Sequence, residues 1–181
     1  MAFALIGVRG QRWMRALDLG VVGNLQRDEL LGRLEHYLAE QAHLDEALAQ
    51  TANGFPQIEA LSDIRGIGVY TALLVVEEIG EPERFTQPGQ VASYAGLAAL
   101  VYQSGEHDYH GHITRQGSPW LRWVLVQAAM KAIGRDRKLA NFYERVRKRS
   151  SRHIARVAVA RKLAKICWIR LRRWHRERAA A

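Results

Sequence analysis

Three groups of residues in this chain have types and spacings that could do chemistry. The first is Ser104, in the run Tyr102, Gln103, Ser104, Gly105. A serine before glycine on a loop can be exposed to a backbone phosphorus, and nearby cations would stabilise the attacking and leaving oxygens. Ser93 and Ser118 are competing hydroxyls, but Ser118 stands directly before Pro119 and reads as a helix N-cap with proline at the first helical position. Loop serines are common in proteins that perform no such reaction, so residue type alone leaves the role of Ser104 open. His107, Asp108, His110 and His112 lie within six residues of one another. Their spacing puts no two ligands on one helical face, so a solvated or phosphate-facing loop is expected there and no metal site.

The second group is Ile64, Arg65, Gly66, Ile67, Gly68, followed by Val69, Tyr70, Thr71 and Ala72. Two glycines flanking one aliphatic residue allow a turn with positive φ and leave backbone N–H groups pointing outward where the next helix begins. Such a nest binds phosphate oxygens without reading base sequence. The arrangement resembles the helix-hairpin-helix motif of DNA-binding proteins, over about 20 residues (57–80). That likeness nominates Gly66, Ile67, Gly68 and Thr71 as backbone contacts. A plain helix C-cap at Gly66 with a short connector is the competing reading.

The third group is a basic tail. Residues 1–90 hold 7 Lys+Arg against 13 Asp+Glu, net −6, whereas residues 91–181 hold 20 against 5, net +15; the two sum to +9. All 20 of the later cations lie between Arg115 and Arg178. Only the second half therefore reads as a polyanion-binding surface, with Arg115, Arg122, Arg152, Arg156, Lys162 and Lys165 as the candidate contacts. On the last helix an apolar stripe of Ile154, Val157, Ala164, Cys167, Trp168 and Leu171 is expected to face the core. The same core-facing placement is expected to account for Trp120, Trp123 and Trp174. A solubilising cationic face is the bland alternative to nucleic-acid contact.

The elements that must position these groups read as mainly α. Residues 1–24 carry four glycines and no sustained period and are expected as loop. From Arg27 to Gln50, Leu30, Leu31, Leu34, Tyr37, Leu38, Leu44 and Leu48 recur at helical spacing, giving a long amphipathic arm that stops at Asn53, Gly54 and Pro56. That arm either packs on its own domain or forms a coiled-coil strand with a second copy. Short helices are expected on either side of the Gly66 turn and around Gln90 to Ala95. An irregular loop or hairpin spans Leu97 to Gly117, and basic helices broken near Gly134 and Ser150 follow from Ser118. The division is an N-terminal segment and arm at 1–54 and a serine-bearing DNA-binding domain at 55–181. A chain of 181 residues with one cysteine fits a cytoplasmic protein without disulfides. The apolar opening is too short, and lacks the flanking charge, for an export signal or membrane anchor.

The run IRGIGVYTALLVVEEIGEPERF, then SYAGL, YQSG and GHITRQGSPWLRW, is similar to the C-terminal domain of the bacterial insertion-sequence transposases related to the pilin-gene invertases, the bridge-RNA-guided recombinases. Four motifs in order over about 65 residues carry the resemblance; the arm before and the basic tail after agree more loosely. The resemblance implies DNA cleavage and rejoining during transposition, with Ser104 as the nucleophile. It implies DNA, a structured guide RNA and a second copy as partners. It also implies an RNase H-like domain whose acids hold a divalent metal. Residues 1–27 offer Asp18 as their single acid, so no cofactor is expected on this chain and isolated activity is not expected. Two departures stand out: Arg65 replaces a customary proline, and Glu106 to His110 replaces a more basic stretch. A non-catalytic DNA-binding module, or a decayed transposase fragment, is the alternative function.

Overall fold

Local capping decides where most of the helices start. The computed structural model of the protein describes residues 6–104 and 107–180, the side chains of residues 99–112 excepted. In order it contains α1 (Val8–Arg15), α2 (Gly20–Ala52), a 3₁₀ segment (Pro56–Leu61), α3 (Val69–Ile79), a 3₁₀ turn (Pro82–Arg84), α4 (Pro88–Tyr94), strands β1 (Ala99–Ser104) and β2 (His107–Ile113), α5 (Pro119–Ile133), α6 (Arg137–Arg149) and α7 (Arg152–Ala179). The fold is mainly helical, as expected. The chain divides into two units, residues 1–50 and 51–181.

The first unit corrects the expected loop over residues 1–24, because α1 occupies part of it and α2 begins at Gly20 rather than near Arg27. Side-chain bonds explain the early start. Asp18 accepts from the Gly20 amide at 3.1 Å and from the Asn24 side chain at 3.0 Å, while the Leu19 amide donates to Asn24 Oδ1 at 3.0 Å. These bonds satisfy amides that a helix start leaves unpaired, and they outweigh the poor helix propensity of Gly20 and Gly23. The Asn24 side chain, then the Gly20 amide, also hold the Asp18 carboxyl below the usual carboxylate range. An Arg15 to Glu35 ion pair ties α1 to α2. Along α2 the buried residue among those described is Leu31, whereas Leu30, Tyr37, Leu38 and Leu44 are exposed.

In the second unit α7 is the hub. It packs on α4, α5 and α6 and on both 3₁₀ segments, and it buries Ala155, Val159, Ala160, Leu163, Ala164, Cys167, Trp168 and Leu171. The expected stripe is right from Ala164 onward, but Ile154 is exposed and Val157 is only half-buried; Ala155 and Val159 take the inner face at the start. Trp168 donates its indole N–H to the Pro82 carbonyl at 2.8 Å, so a large ring is buried without stranding its polar atom. Trp120 and Trp123 do not join it; they are exposed on α5, and Trp174 is half-buried. No polar or charged side chain is buried among the described residues.

Caps set the remaining boundaries. Ser118 Oγ accepts from the Leu121 amide at 3.0 Å with Pro119 next in line, as its sequence suggests. Asp136 accepts from the Lys138 and Leu139 amides at 2.8 and 2.9 Å and starts α6, and Ser151 accepts from the Ile154 amide at 3.3 Å and starts α7. The stretch read as loop or hairpin is a two-stranded antiparallel ribbon, with Tyr102 opposite Tyr109, Ser104 opposite His107 and a register shift between Ala99 and Val101. Its base is tied down by bonds from Thr114 to the Ala98 carbonyl (2.9 Å), Arg115 to Gly96 (3.3 Å) and Ser118 to Tyr94 (2.9 Å).

Candidate nucleic-acid interface

The glycine turn is assembled by packing as much as by conformation. Gly66 sits at φ +95° against α5; a Cβ added there would come within 2.7 Å of the Ala128 carbonyl oxygen and of the Ala132 nitrogen. Both facts require glycine at this position. Gly66 alone supplies the positive φ of the turn: Gly68 has φ −103°, and an added Cβ there would meet open space. Ile67 is buried, its amide donating to the Ile64 carbonyl at 3.0 Å, so it pins the turn to the core. Gly68 is the N-cap of α3, and no side chain caps that helix start. The first amides of α3 therefore lack an intrahelical acceptor. Thr71 stands half-buried in that first turn. The short helix expected before the turn is the 3₁₀ segment Pro56–Leu61. An open depression of about 500 Å³ lies beside the turn, lined by Ser62 to Ile67 and Arg135, and Arg65 crosses it to donate to the Arg135 carbonyl at 2.6 Å.

The candidate cations divide into two kinds. Arg122 is half-buried and donates to the carbonyls of Arg115 (3.2 Å) and Ala95 (3.4 Å), so it braces the ribbon base against α5. Arg115 is exposed, at φ +53°. On α7, Arg152 and Lys162 are exposed, while Arg156 and Lys165 are half-buried. The Lys162 ammonium lies 4.8 Å from the centre of the Phe142 ring. Among the described residues, Arg152, Arg156, Lys162 and Lys165 pair with no carboxylate. The far end of the same helix is different: Arg170 pairs with Asp63 at 2.8 Å, Arg173 with Glu177 at 2.6 Å and Arg178 with Glu59 at 3.9 Å. Asp63 and Glu59 from the unit's first part and Glu177 on α7 itself thus pair with three arginines at the end of α7, whereas these four cations nearer its beginning have no such partner among the described residues. Sequence reasoning also passed over Arg145, Lys148 and Arg149, which are exposed on α6 just before Ser150. Their density in the run RVRKRSSRHIAR was the signal.

Ser104 is the last residue of β1, at the end of the ribbon away from its base. Its side chain, and those of His107, Asp108, His110 and His112, lie outside the described residues. Among the described residues no group of three or more His, Cys, Asp or Glu is placed to hold a metal ion, so the side chains described do not fit one. No helix among them is long and apolar enough to cross a membrane. Cys167 is wholly buried, and burial pushes its thiol up to about 12.

Residues 58–144 match the "Transposase IS116/IS110/IS902 family" pattern. The span runs from the 3₁₀ segment before the glycine turn into α6, and so takes in the ribbon with Ser104. The chain is 26% identical over 156 residues to a probable family 20 transposase of Pseudomonas aeruginosa, covering 84% of this chain and 46% of that protein. It is 26% identical over 174 residues to the transposase for insertion sequence element IS1111A of Coxiella burnetii, covering 94% and 45%. It is 30% identical over 150 residues to the transposase for insertion sequence element IS1328 of Yersinia enterocolitica, covering 77% and 44%. The chain spans less than half the length of each of these relatives. Residues 58–144 are thus similar to the IS116/IS110/IS902 transposase family, and the relatives matched over most of the chain are named as transposases.

Proposed function

We propose that this chain is the DNA-handling part of an insertion-sequence transposase, acting in cleavage and rejoining of DNA strands with Ser104 as the nucleophile. The observation that carries the DNA reading is the unpaired positive start of α7, on a domain whose relatives are named transposases. Cations without carboxylate partners are free to replace the counterions of a phosphate backbone. The turn at Gly66 to Gly68, with Thr71 behind it, adds amides suited to a phosphate oxygen. In the chemical step the Ser104 oxygen attacks phosphorus and a Ser–O–P bond forms. The P–O bond to the adjoining deoxyribose breaks, the serine proton passes to a base, and the leaving oxygen takes up a proton. A divalent metal held by acids outside residues 1–181 would stabilise charge on the phosphoryl oxygens. A structured guide RNA and a second copy of the chain are the further partners this reading calls for. The apolar residues of α2, spaced as Leu30, Leu34, Tyr37, Leu44 and Leu48, suit the seam of a coiled coil.

Binding and chemistry are tested separately. Duplex affinity is expected to fall steeply with salt and to weaken at least tenfold when Arg152, Arg156 and Lys165 are together changed to Glu, with the fold intact by circular dichroism. A flat salt response counts against the interface. A denaturing gel of the chain mixed with the acid-bearing domain, metal, guide RNA and target DNA is expected to show a covalent adduct. Ser104→Ala should lose that adduct while keeping duplex affinity. An adduct that persists moves the nucleophile, and no adduct from any complete mixture favours a non-catalytic DNA-binding module.

A further inference from the structure

The aromatic residues next to the glycine turn have no partner in the reading above. Tyr70, in the first turn of α3, meets Trp123 of α5 with ring centroids 6.3 Å apart and planes at 79°. Both rings stay open to solvent, Tyr70 at 42% and Trp123 at 48%. Trp120 (62%) and Met130 (46%) follow on the same exposed side of α5, since positions 120, 123, 127 and 130 recur at helical spacing. Single exposed apolar residues need no explanation, but a run of large rings on one face marks a binding surface. The same helix turns its small residues Ala128, Ala129 and Ala132 to the core and its tryptophans outward, so the arrangement is not a core in miniature.

We propose that the Tyr70 and Trp123 rings form a stacking platform for unpaired bases of a nucleic-acid strand. Two rings at nearly a right angle make a corner in which a planar base lies on one ring face with its edge against the other. The charge around them favours a polyanion over a protein surface: α5 carries Arg122 and Lys131 and no acid, Arg115 precedes it, and the residues from 91 onward are net +15. Glu77, seven residues beyond Tyr70 on α3, is the exposed acid on that helix face and limits the platform on that side. Base stacking on aromatic side chains is tolerant of sequence and requires the base to be out of a duplex. A strand opened during transfer, or a single-stranded stretch of RNA, presents such bases. The inference rests on the nucleic-acid reading above but concerns a different surface and a different state of the strand.

The test uses the 181-residue chain with labelled dT20, rU20 and a 20-base-pair duplex, read by anisotropy and by tryptophan quenching. Trp123→Ala and Tyr70→Ala are each expected to weaken single-strand binding roughly tenfold, with duplex affinity held within twofold and the thermal midpoint unchanged. Trp123→Phe is expected to restore most of the loss, because the stacking face remains. The dT20 and rU20 arms decide between DNA and RNA. The α7 charge-reversal variant provides the independent arm: it weakens the duplex whether or not the platform exists. Equal losses for single strand and duplex, no loss in either alanine variant, or no single-strand binding at all would overturn the platform. So would a shift in sedimentation on Trp123→Ala, which would make the face a protein contact. Ring-dependent single-strand binding in a chain that ignores duplex would leave the platform standing and remove the duplex interface.

Discussion

Helices α2 and α7 are the two longest in the chain, 33 and 28 residues, and both were visible from their helical period, yet they use their apolar residues in opposite ways. Helix α7 buries eight residues under α4, α5 and α6, whereas α2 buries Leu31 and leaves Tyr37 66% and Leu44 61% exposed. The difference teaches that an amphipathic pattern states what a helix can bury, not what it has found to bury it. Most helix stability in proteins comes from packing of one face, so a helix with little buried area depends on capping and propensity. The two helices should therefore respond differently to the same kind of change.

The sharpest contrast is between two aromatic truncations. Trp168→Ala removes a buried ring and its bond to the Pro82 carbonyl and is expected to cost about 3 to 5 kcal/mol in urea unfolding of the second unit. Tyr37→Ala on α2 is expected to stay within about 0.5 kcal/mol in the monomer. If Tyr37→Ala costs as much as Trp168→Ala, α2 is covered in solution and the contrast fails.

Two glycines sharpen it next, with opposite signs. Gly66→Ala adds a side chain at positive φ and against the α5 backbone, and is expected to cost about 1 to 3 kcal/mol. Gly32→Ala, in the open interior of α2, is expected to stabilise that helix by about 0.5 to 1 kcal/mol, because alanine loses less backbone entropy. Thermal unfolding of both variants checks the pair. A loss of stability in Gly32→Ala would mean that something packs over α2 there.

Caps come third. Ser118→Ala and Ser151→Ala each strand an amide at a helix start in the packed unit and are expected to cost roughly 0.5 to 2 kcal/mol. Guanidinium titrations that leave both variants at the parent midpoint would show that packing alone starts α5 and α7.

The smallest effect concerns Cys167. Its folded thiol, raised by burial to about 12, should resist alkylation at pH 8 until the chain unfolds. A folded value above the unfolded one means that the contribution to stability is complete below about pH 9 and is lost as pH rises toward 12. Rapid labelling of the native protein would mean that the face of α7 bearing Cys167 opens.

Much of the fold and part of the site were legible because their signals are local. The Ser118 and Pro119 cap, the break at Gly134, the break at Ser150 and Ser151, and the charge division between the halves all hold in the structure, since a cap is a bond between neighbours in the chain. The early start of α2 is not legible in the pattern, because Gly20 and Gly23 read as breakers and the Asp18 and Asn24 side-chain bonds that offset them depend on the local fold.

What required tertiary structure was the choice of face and the use of charge. A period of 3.6 groups residues on one side of a helix, but the neighbours decide which side is inward; hence Ile154, Trp120 and Trp123 point out while Ala155 and Val159 point in. Arg122 and Arg152 look alike in a sequence, yet the ribbon base takes the first onto two carbonyls, while the second is exposed on α7 with no carboxylate partner among the described residues. Gly66 and Gly68 look alike too, and only the approach of α5 makes one of them obligatory. The residues alone determined the helices, their caps and the positive half. Contacts between residues far apart in the chain decided which of those positive and aromatic groups remain available to a partner, because burial is a property of the neighbours and not of the residue.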